Sequence, residues 1–527
     1  MKKATDIAKV TTKSGFHLFW GLIVSTVISS IGSIFIARLL GADLYGLYTI
    51  VLAAPAFISV FRNWSVSMAV TRCTAQCRTE NRTDEIRSVF MSGLIFDMVL
   101  GLALSLISFA LANFIATTIF NRPNIVSLIQ ITSVSILASG MVNSATAIFV
   151  GMETMRPNNV VIIVQSILKT FIVIILVILG LGTSGAVIGY TISSVFAGLT
   201  GMLFVWIIYK NLPRPSTTKL QIKAYLTTML SYSIPLSVST FVVSAQTQFY
   251  TFLLPIHYVI DNSLIGSYGV SSNFVVLISF FSIPITTMLF PAFSKFTAEK
   301  DRETLRSFFQ YSVKYTALFV VPVAFLIICL AEPAVTTLFG DTYISAPLFL
   351  ALLAATSLYT AVGILSMDNL IKSQGETKYL LKLTIITAII GFPIGTILIL
   401  NFGVLGLIIG SFMAGVPSSI LGLLFVRKHY SATVDWGSSI RILIASAIPA
   451  AITYIIISYI PFTSWIRLII GVGVFIVMLT PTLLFSRAIN RSDINNLREL
   501  TSNFGLVTKL SIFALKILER AMDVLRL

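Results

Sequence analysis

Apolar runs of about twenty residues recur along this chain and leave it few ways to fold. Residues 17–40, 47–69, 89–116, 125–150, 159–180, 184–208, 229–254, 266–290, 311–331, 345–370, 378–400, 404–426, 440–460 and 464–486 are each long and apolar enough to cross a bilayer. Lipid offers a peptide group no hydrogen-bond partner, so each run must satisfy its own backbone, and helices do so. Of the 527 residues, 56% are hydrophobic and 11% are charged, a balance foreign to soluble domains of this size. The expected fold is an all-α polytopic membrane protein with about fourteen transmembrane helices.

A net charge of +16 raises the question of nucleic acid. The placement of the charge argues against it. With the N-terminus in the cytoplasm, 31 of the 36 Lys and Arg residues fall on cytoplasmic segments. Arg38, Arg122 and Arg467 lie on the outer side, and Arg62 and Lys169 lie within spans. This positive-inside pattern predicts that both termini are cytoplasmic and that the span number is even. The basic excess is topogenic, aided by anionic lipid. Cys73, Cys77 and Cys329 form no disulfide framework, and no metal-ligand cluster or cofactor motif accompanies them. The first span is too long for a signal-peptide core and is read as retained.

The first six spans repeat in the next six. Ala69–Ala75 reads against Ala292–Ala298, and Tyr45-Gly46 against Tyr268-Gly269, both at an offset of 223. Arg87–Phe90 matches Arg306–Phe309, and Thr117–Phe120 matches Thr336–Phe339, at 219. Glu153-Thr154 matches Glu376-Thr377 at 223, and Gly182, Gly185 and Gly189 match Gly403, Gly406 and Gly410 at 221. An even number of spans per copy makes the repeats parallel, related by an axis along the membrane normal. The expected organisation is an N-lobe over 1–210, a basic linker over 211–225 and a C-lobe over 226–426. Spans 13 and 14 follow over 427–486, then a cytoplasmic tail over 487–527. The tail from about Gly505 is amphipathic, which suits either an interfacial helix or packing under the bundle. Segment 300–309 is expected to be a similar surface helix. Prolines at 235, 284, 322 and 393 are candidate kinks.

A charge inside the membrane costs several kcal/mol and needs a reason. Arg62, Asp97 and Lys169 are such charges, and all lie in the N-lobe. Their repeat positions, Ile285, Thr316 and roughly Gly391, are uncharged. One reading has Arg62 and Lys169 lining a cavity and binding phosphate oxygens, with Asp97 orienting a cation. The other has an Arg62–Asp97 ion pair locking spans 2 and 3, with Lys169 bonded to a carbonyl or snorkelling. Gln246 and Gln248 in span 7 either bond sugar hydroxyls or bond across helices. Arg38 either snorkels at the outer end of span 1 or lies on the exit side of the cavity. Asp368 and Lys372, four apart, suggest a local helix pair.

Local motifs add a family resemblance. Ala37-Arg38-Leu39-Leu40-Gly41 followed by Tyr45-Gly46-Leu47-Tyr48 resembles the first-loop motif of polysaccharide-unit exporters. So do Ser233-Ile234-Pro235-Leu236, Gly266-Ser267-Tyr268, Phe290-Pro291-Ala292-Phe293-Ser294 and Leu338-Phe339-Gly340-Asp341-Thr342-Tyr343. The likeness covers nearly the whole chain. It is similar to the oligosaccharide flippase family of the multidrug, oligosaccharidyl-lipid and polysaccharide exporter superfamily. That resemblance implies two six-helix lobes around a cationic central cavity, in the cell membrane. The implied cargo is a polyprenyl-diphosphate-linked glycan, moved from the inner to the outer leaflet by alternating access. Membrane lipids and glycan-assembly proteins are the implied partners, with no cofactor. Arg62 sits where the span-2 arginines of that cavity fall. Gln248 stands where many relatives have an Asp, which leaves ion coupling without a clear site. The alternative on the same scaffold is a multidrug antiporter, which needs a membrane-embedded carboxylate that spans 1 and 7 lack. A glycosyltransferase predicts a long outer loop or an acidic metal cluster, so the chain is not read as an enzyme. A non-transporting scaffold for glycan assembly is a further alternative.

Overall fold

A computed structural model describes residues 2–494 and 519, apart from 81, 83–84, 213–220, 259–260, 297–300 and 492. Most of linker 211–225 and the tail from about Gly505 therefore lie outside the described residues. Helices account for almost everything described. They are α1 Lys2–Ser59, α2 Val66–Thr79, α3 Ile86–Phe114, α4 Val126–Gly151, α5 Met155–Leu176, α6 Gly182–Asn211, α7 Ile222–His257 and α8 Ser263–Phe293. There follow α9 Arg302–Cys329, α10 Ala331–Phe339, α11 Ala346–Thr356, α12 Ile364–Ser373, α13 Thr377–Tyr430, α14 Trp436–Tyr459 and α15 Ser464–Phe485. Large apolar side chains stand exposed on these helices, among them Ile178 at 67%, Leu179 at 70% and Val477 at 68%. Such a surface fits hydrocarbon, not water. The chain is a multi-pass membrane protein.

Among the described residues, eight helical stretches are long and apolar enough to cross a membrane, or up to ten if each of two bent pairs is one span. Three of the eight run to 42, 57 and 54 residues, more than one crossing needs. Each contains a break, at Gly41, at Gly180 and Gly182, and at Gly403. The sequence places the turns between spans 1 and 2, 5 and 6, and 11 and 12 at these same points. One bent pair is α7, which turns by 63° between Ile234 and Ser237, where Pro235 stands. α9 runs through Pro322 as one helix and contains residues 302–309, so that part of the expected surface helix is the first two turns of span 9.

The repeat is legible in backbone geometry. Gly182 has φ 51° and ψ −132°, and Gly403 has φ 57° and ψ −126°. After the turn, the second limb folds back onto the first. Gly185 then meets Leu176 and Gly189 meets Val173, while Gly406 meets Leu398 and Gly410 meets Gly395. At the end of α4 the N–H groups of Met152, Glu153 and Thr154 donate to Ile148, Val150 and Phe149. At the end of α12 those of Gln374, Gly375 and Glu376 donate to Leu370, Lys372 and Ile371. All three bonds recur at an offset of 222, with positive φ at Glu153 and at Gly375. The backbone thus equates Glu153 with Gly375, one residue away from the match to Glu376 drawn on side chains.

Two compact units divide the chain: Met1–Val270 with Thr384–Ala414, and Ser271–Leu383 with Gly415–Leu527. In the first, α3 and α4 are bonded through Ser105 to the Ser133 carbonyl at 2.9 Å and Ser108 to the Ser133 hydroxyl at 2.7 Å. Arg122, counted above as an outer-side charge, is buried and donates to the carbonyls of Pro255 and Tyr258 and to Asn262. In the second unit, residues just after α15 pack under the bundle. Ala488, Ile489 and Ile494 join a core with Ala317, Leu318 and Val321. Lys314 donates to buried Asp493 at 2.6 Å, and Asp493 also accepts from Tyr315 and from the N–H of Asn490. Asp368 and Lys372 close no ion pair among the described residues.

Two outcomes follow. Asp493→Ala strands the Lys314 ammonium, at 12% exposure, and should cost about 3 kcal/mol in thermal unfolding of the purified protein. Gly182→Ala and Gly403→Ala each force a side chain into a glycine-only region, costing about 1–3 kcal/mol. The loss should be larger at Gly403, where a Cβ strikes the Tyr258 ring, than at Gly182, where it meets only a Leu44 methyl at 3.8 Å.

Candidate functional site

The first unit has a charged interior built by α1, α3, α4, α5 and α6. α1 ends in a short 3-10 turn, Val60–Arg62, which carries the Arg62 guanidinium to α4. Its Nη1 stands 3.5 Å from the Ile136 carbonyl, the outer limit of a hydrogen bond. Its Nε is buried with no hydrogen-bond partner. The guanidinium passes α4 at Gly140, where a Cβ would lie 3.5 Å from Nη1.

Asp97 reaches the same place from α3 and is 6% exposed. Ser144 on α4 donates a short hydrogen bond to its Oδ2. No ion pair closes between Arg62 and Asp97, although each lies in the field of the other. The direct bridge weighed from the sequence is not made. Lys169, on α5, places Nζ 5.7 Å from the centre of the Tyr190 ring on α6, a cation–π distance. The hydroxyls of Ser193 and Ser194 donate to the Tyr190 carbonyl at 2.7 and 3.0 Å. Lys169 has no ion-pair partner among the described residues. Arg62 and Lys169 are half-buried, so each keeps an accessible face that Asp97 lacks.

Arg62 and Asp97 therefore meet at Gly140 of α4, and Lys169 stands over Tyr190 of α6. The other candidates stand elsewhere. Gln246 is buried and donates to the Tyr250 hydroxyl at 2.8 Å, which donates to the Gly391 carbonyl at 2.5 Å. The bond Gln246 forms runs along α7, and it is Tyr250 that bonds across to α13. Gln248 is half-buried on α7, and Arg38 is exposed on α1. In the second copy of the repeat, Gly391 answers to Lys169, and Thr316 answers to Asp97. Thr316 is buried and bonded to the Ser312 carbonyl at 2.6 Å. Gly140, Ser144 and Tyr190 are functional neighbours that sequence reading missed. A tyrosine in mid-span, away from the interfacial belts, was the available signal for Tyr190.

A family model described as polysaccharide biosynthesis protein matches residues 35–348, more than half of the chain. The chain belongs to that family. Within this polysaccharide biosynthesis family, the matched region holds every candidate named above, from Arg38 to Gln248. A second family model, lipid II flippase MurJ, matches residues 271–479. The probable low-salt glycan biosynthesis flippase Agl15 of Haloferax volcanii is 19% identical over 238 residues, 45% of this chain and 50% of that protein. The match thus spans about half the length of that relative. A solved structure of lipid II flippase MurJ, in an inward closed conformation, aligns over 89% of this chain and 98% of its own, with TM-score 0.64 and 16% identity. An inward-facing multidrug resistance MATE family transporter of the MOP superfamily aligns over 77% of this chain and 94% of its own, with TM-score 0.63 and 17% identity. At such identities the likeness is one of fold. The resemblance to polysaccharide-unit exporters read from the loop and span motifs is borne out.

The Ser144 bond to Asp97 sets a test of how this interior is held. Ser144→Ala removes the hydrogen bond from a buried carboxylate and should lower stability by about 1–3 kcal/mol, read as a fall in melting temperature in nanodiscs.

Proposed function

We propose that this protein is a flippase that moves a polyprenyl-diphosphate-linked oligosaccharide unit from the inner to the outer leaflet by alternating access. The observation that carries the reading is the surplus of positive charge inside the first unit. Among the described residues, Arg62 has an unpartnered Nε, Lys169 has no ion-pair partner, and Asp97 is already engaged by Ser144. A diphosphate supplies the missing acceptors. The planar guanidinium fork suits two phosphate oxygens, and the ammonium serves as a point charge. Agl15 and MurJ, both named as flippases, support the class of cargo. The glycan crosses within the cavity while the polyprenyl tail stays in lipid. Both termini lie in the cytoplasm, so loading occurs there. No bond is made or broken, and the protein acts as a carrier in surface polysaccharide or glycan biosynthesis, not as an enzyme. Membrane lipids and glycan-assembly proteins are its partners.

The multidrug antiporter reading draws on the shared fold of the MATE transporter. A cationic drug needs a free membrane carboxylate, and Asp97 offers one that is buried, hydrogen-bonded and beside a guanidinium. That favours the flippase.

Mass spectrometry of lipid extracts from a depleted host tests the reading. Loss of the protein should raise a polyprenyl-diphosphate glycan, and the wild-type chain should restore the pool. Arg62→Ala and Lys169→Ala should each leave it raised roughly tenfold or more, since a charge-assisted contact to phosphate is lost. An unchanged lipid-linked pool together with new drug sensitivity would replace the flippase with the antiporter.

A further inference from the structure

The first unit also carries a groove between α2 and α4 that the Arg62 interior does not use. Its volume is about 550 Å³, within the ordinary range of small-ligand sites. Ser67, Thr71 and Arg72 line it from α2, Asn143 and Thr146 line it from α4, and the rest of the wall is apolar. The hydroxyl of Thr71 donates to the carbonyls of Ser67 and Ala147, both at 3.0 Å, which ties α2 to α4 and fixes the groove floor.

Two independent features point to a polar ligand. Asn143 is exposed although it stands eight residues before the end of α4, about 12 Å along the helix at 1.5 Å per residue. A bare carboxamide at that depth is costly against lipid, so water or a polar ligand must cover it. The Arg72 guanidinium stacks on Tyr232 of α7, 4.2 Å from the ring centre. Stacking occupies a face of the guanidinium and leaves its in-plane N–H donors unused by the ring. Arg72 makes no ion pair among the described residues. The result is an oriented fork beside two hydrogen-bonding side chains and an apolar wall.

The groove also leads somewhere. Asn143 and Gly140 are three residues apart and share a face of α4. Gly140 is where the Arg62 guanidinium passes that helix. The polar edge of α4 therefore connects the groove to Arg62.

We propose that this groove is a first docking site for an isoprenyl diphosphate, on the side that the basic loops mark as cytoplasmic. Arg72 takes a phosphate, Asn143 and Thr146 bond its oxygens, and the apolar wall takes the first isoprene unit. The head then passes along α4 to Arg62. The inference rests on the flippase reading and adds to it a capture step ahead of the central cations. A phospholipid headgroup offers the same phosphate chemistry, and the test separates the two sources.

The full-length protein in phosphatidylcholine nanodiscs is titrated with farnesyl diphosphate by calorimetry. Arg72→Gln should weaken binding roughly tenfold, Arg72→Lys less, and Asn143→Ala by a smaller factor, with melting temperatures unchanged. Arg62→Gln should leave a weaker site whose affinity still depends on Arg72. Equal binding by wild type and Arg72→Gln, or no binding of the probe to the wild type, overturns the groove as a docking site. The flippase reading survives either result if the lipid-linked pool still rises on depletion. Adding phosphatidylglycerol to the discs should leave the wild-type affinity unchanged. Displacement of the probe from the wild type but not from Arg72→Gln would assign the groove to phospholipid and overturn the proposal.

Discussion

A peptide group in hydrocarbon has no water to bond, so each N–H and C=O of this chain must be answered within its helix or by a close neighbour. Serine and threonine hydroxyls inside the spans obey the same pressure and turn back onto carbonyls, as Thr132 does onto Leu128 at 3.0 Å. The constraint also decides how spans hold together. Burial of apolar surface drives little association between helices already in lipid, so close backbone approach and interhelical hydrogen bonds carry the packing. The hairpins at Gly182 and Gly403 meet this demand in one way. A glycine makes the turn, and further glycines four residues apart bring the returning limb against the first. The two copies of the repeat keep that device to within about 6° in φ and ψ.

The same low dielectric separates charges that hold the fold from charges that await a ligand. Lys314 is answered: Asp493 bonds it, and Tyr315 and the Asn490 N–H satisfy the rest of the carboxylate. Arg122 is answered by two carbonyls and Asn262. Both are brackets with their charged heads engaged by the fold. Arg62 is different in kind, since its Nε is buried without a partner and its nearest carboxylate is committed to Ser144. An unmet donor inside a protein calls for a specific explanation, and a ligand that brings its own acceptors is one.

The fold class was readable because lipid imposes it on any long apolar run. The lengths of those runs placed the breaks at Gly41, Gly180 and Gly403, although among the described residues helix length alone yields fewer crossings than the fourteen runs suggest. The repeat was readable in its glycines, yet its register slipped by one at the end of α4. There Glu153 and Gly375 do the same backbone work, and side-chain identity favoured Glu376 instead. Arg122 reads in the sequence as an outer-side charge because a loop position does not reveal what folds over it. The link that Gln246 joins could not be read either, for its partner Tyr250 is a neighbour along the helix but bonds Gly391, 141 residues further on. Arg62, Asp97 and Lys169 stood out as charges in apolar runs. Tyr190, the ring that Lys169 stands over, did not, because tyrosine carries no comparable penalty.

The two copies solved one position in opposite ways. Where the first places Lys169 over Tyr190, the second has Gly391, whose carbonyl accepts from Tyr250, itself bonded by Gln246. The second arrangement is neutral and closed, and the first is charged and open to a ligand. On the proposed reading this confines the anionic head to one copy and leaves the other to pack. It also gives Asp97 a use. A carrier must release what it binds, and a ligand held equally well in every state shifts no equilibrium. Two unopposed cations would hold a diphosphate too firmly to let it go. A carboxylate fixed by Ser144 in the field of Arg62 offsets part of that attraction and is not itself displaced by the cargo. It closes no ion pair with the guanidinium, so the donors stay available while the charge behind them is tempered.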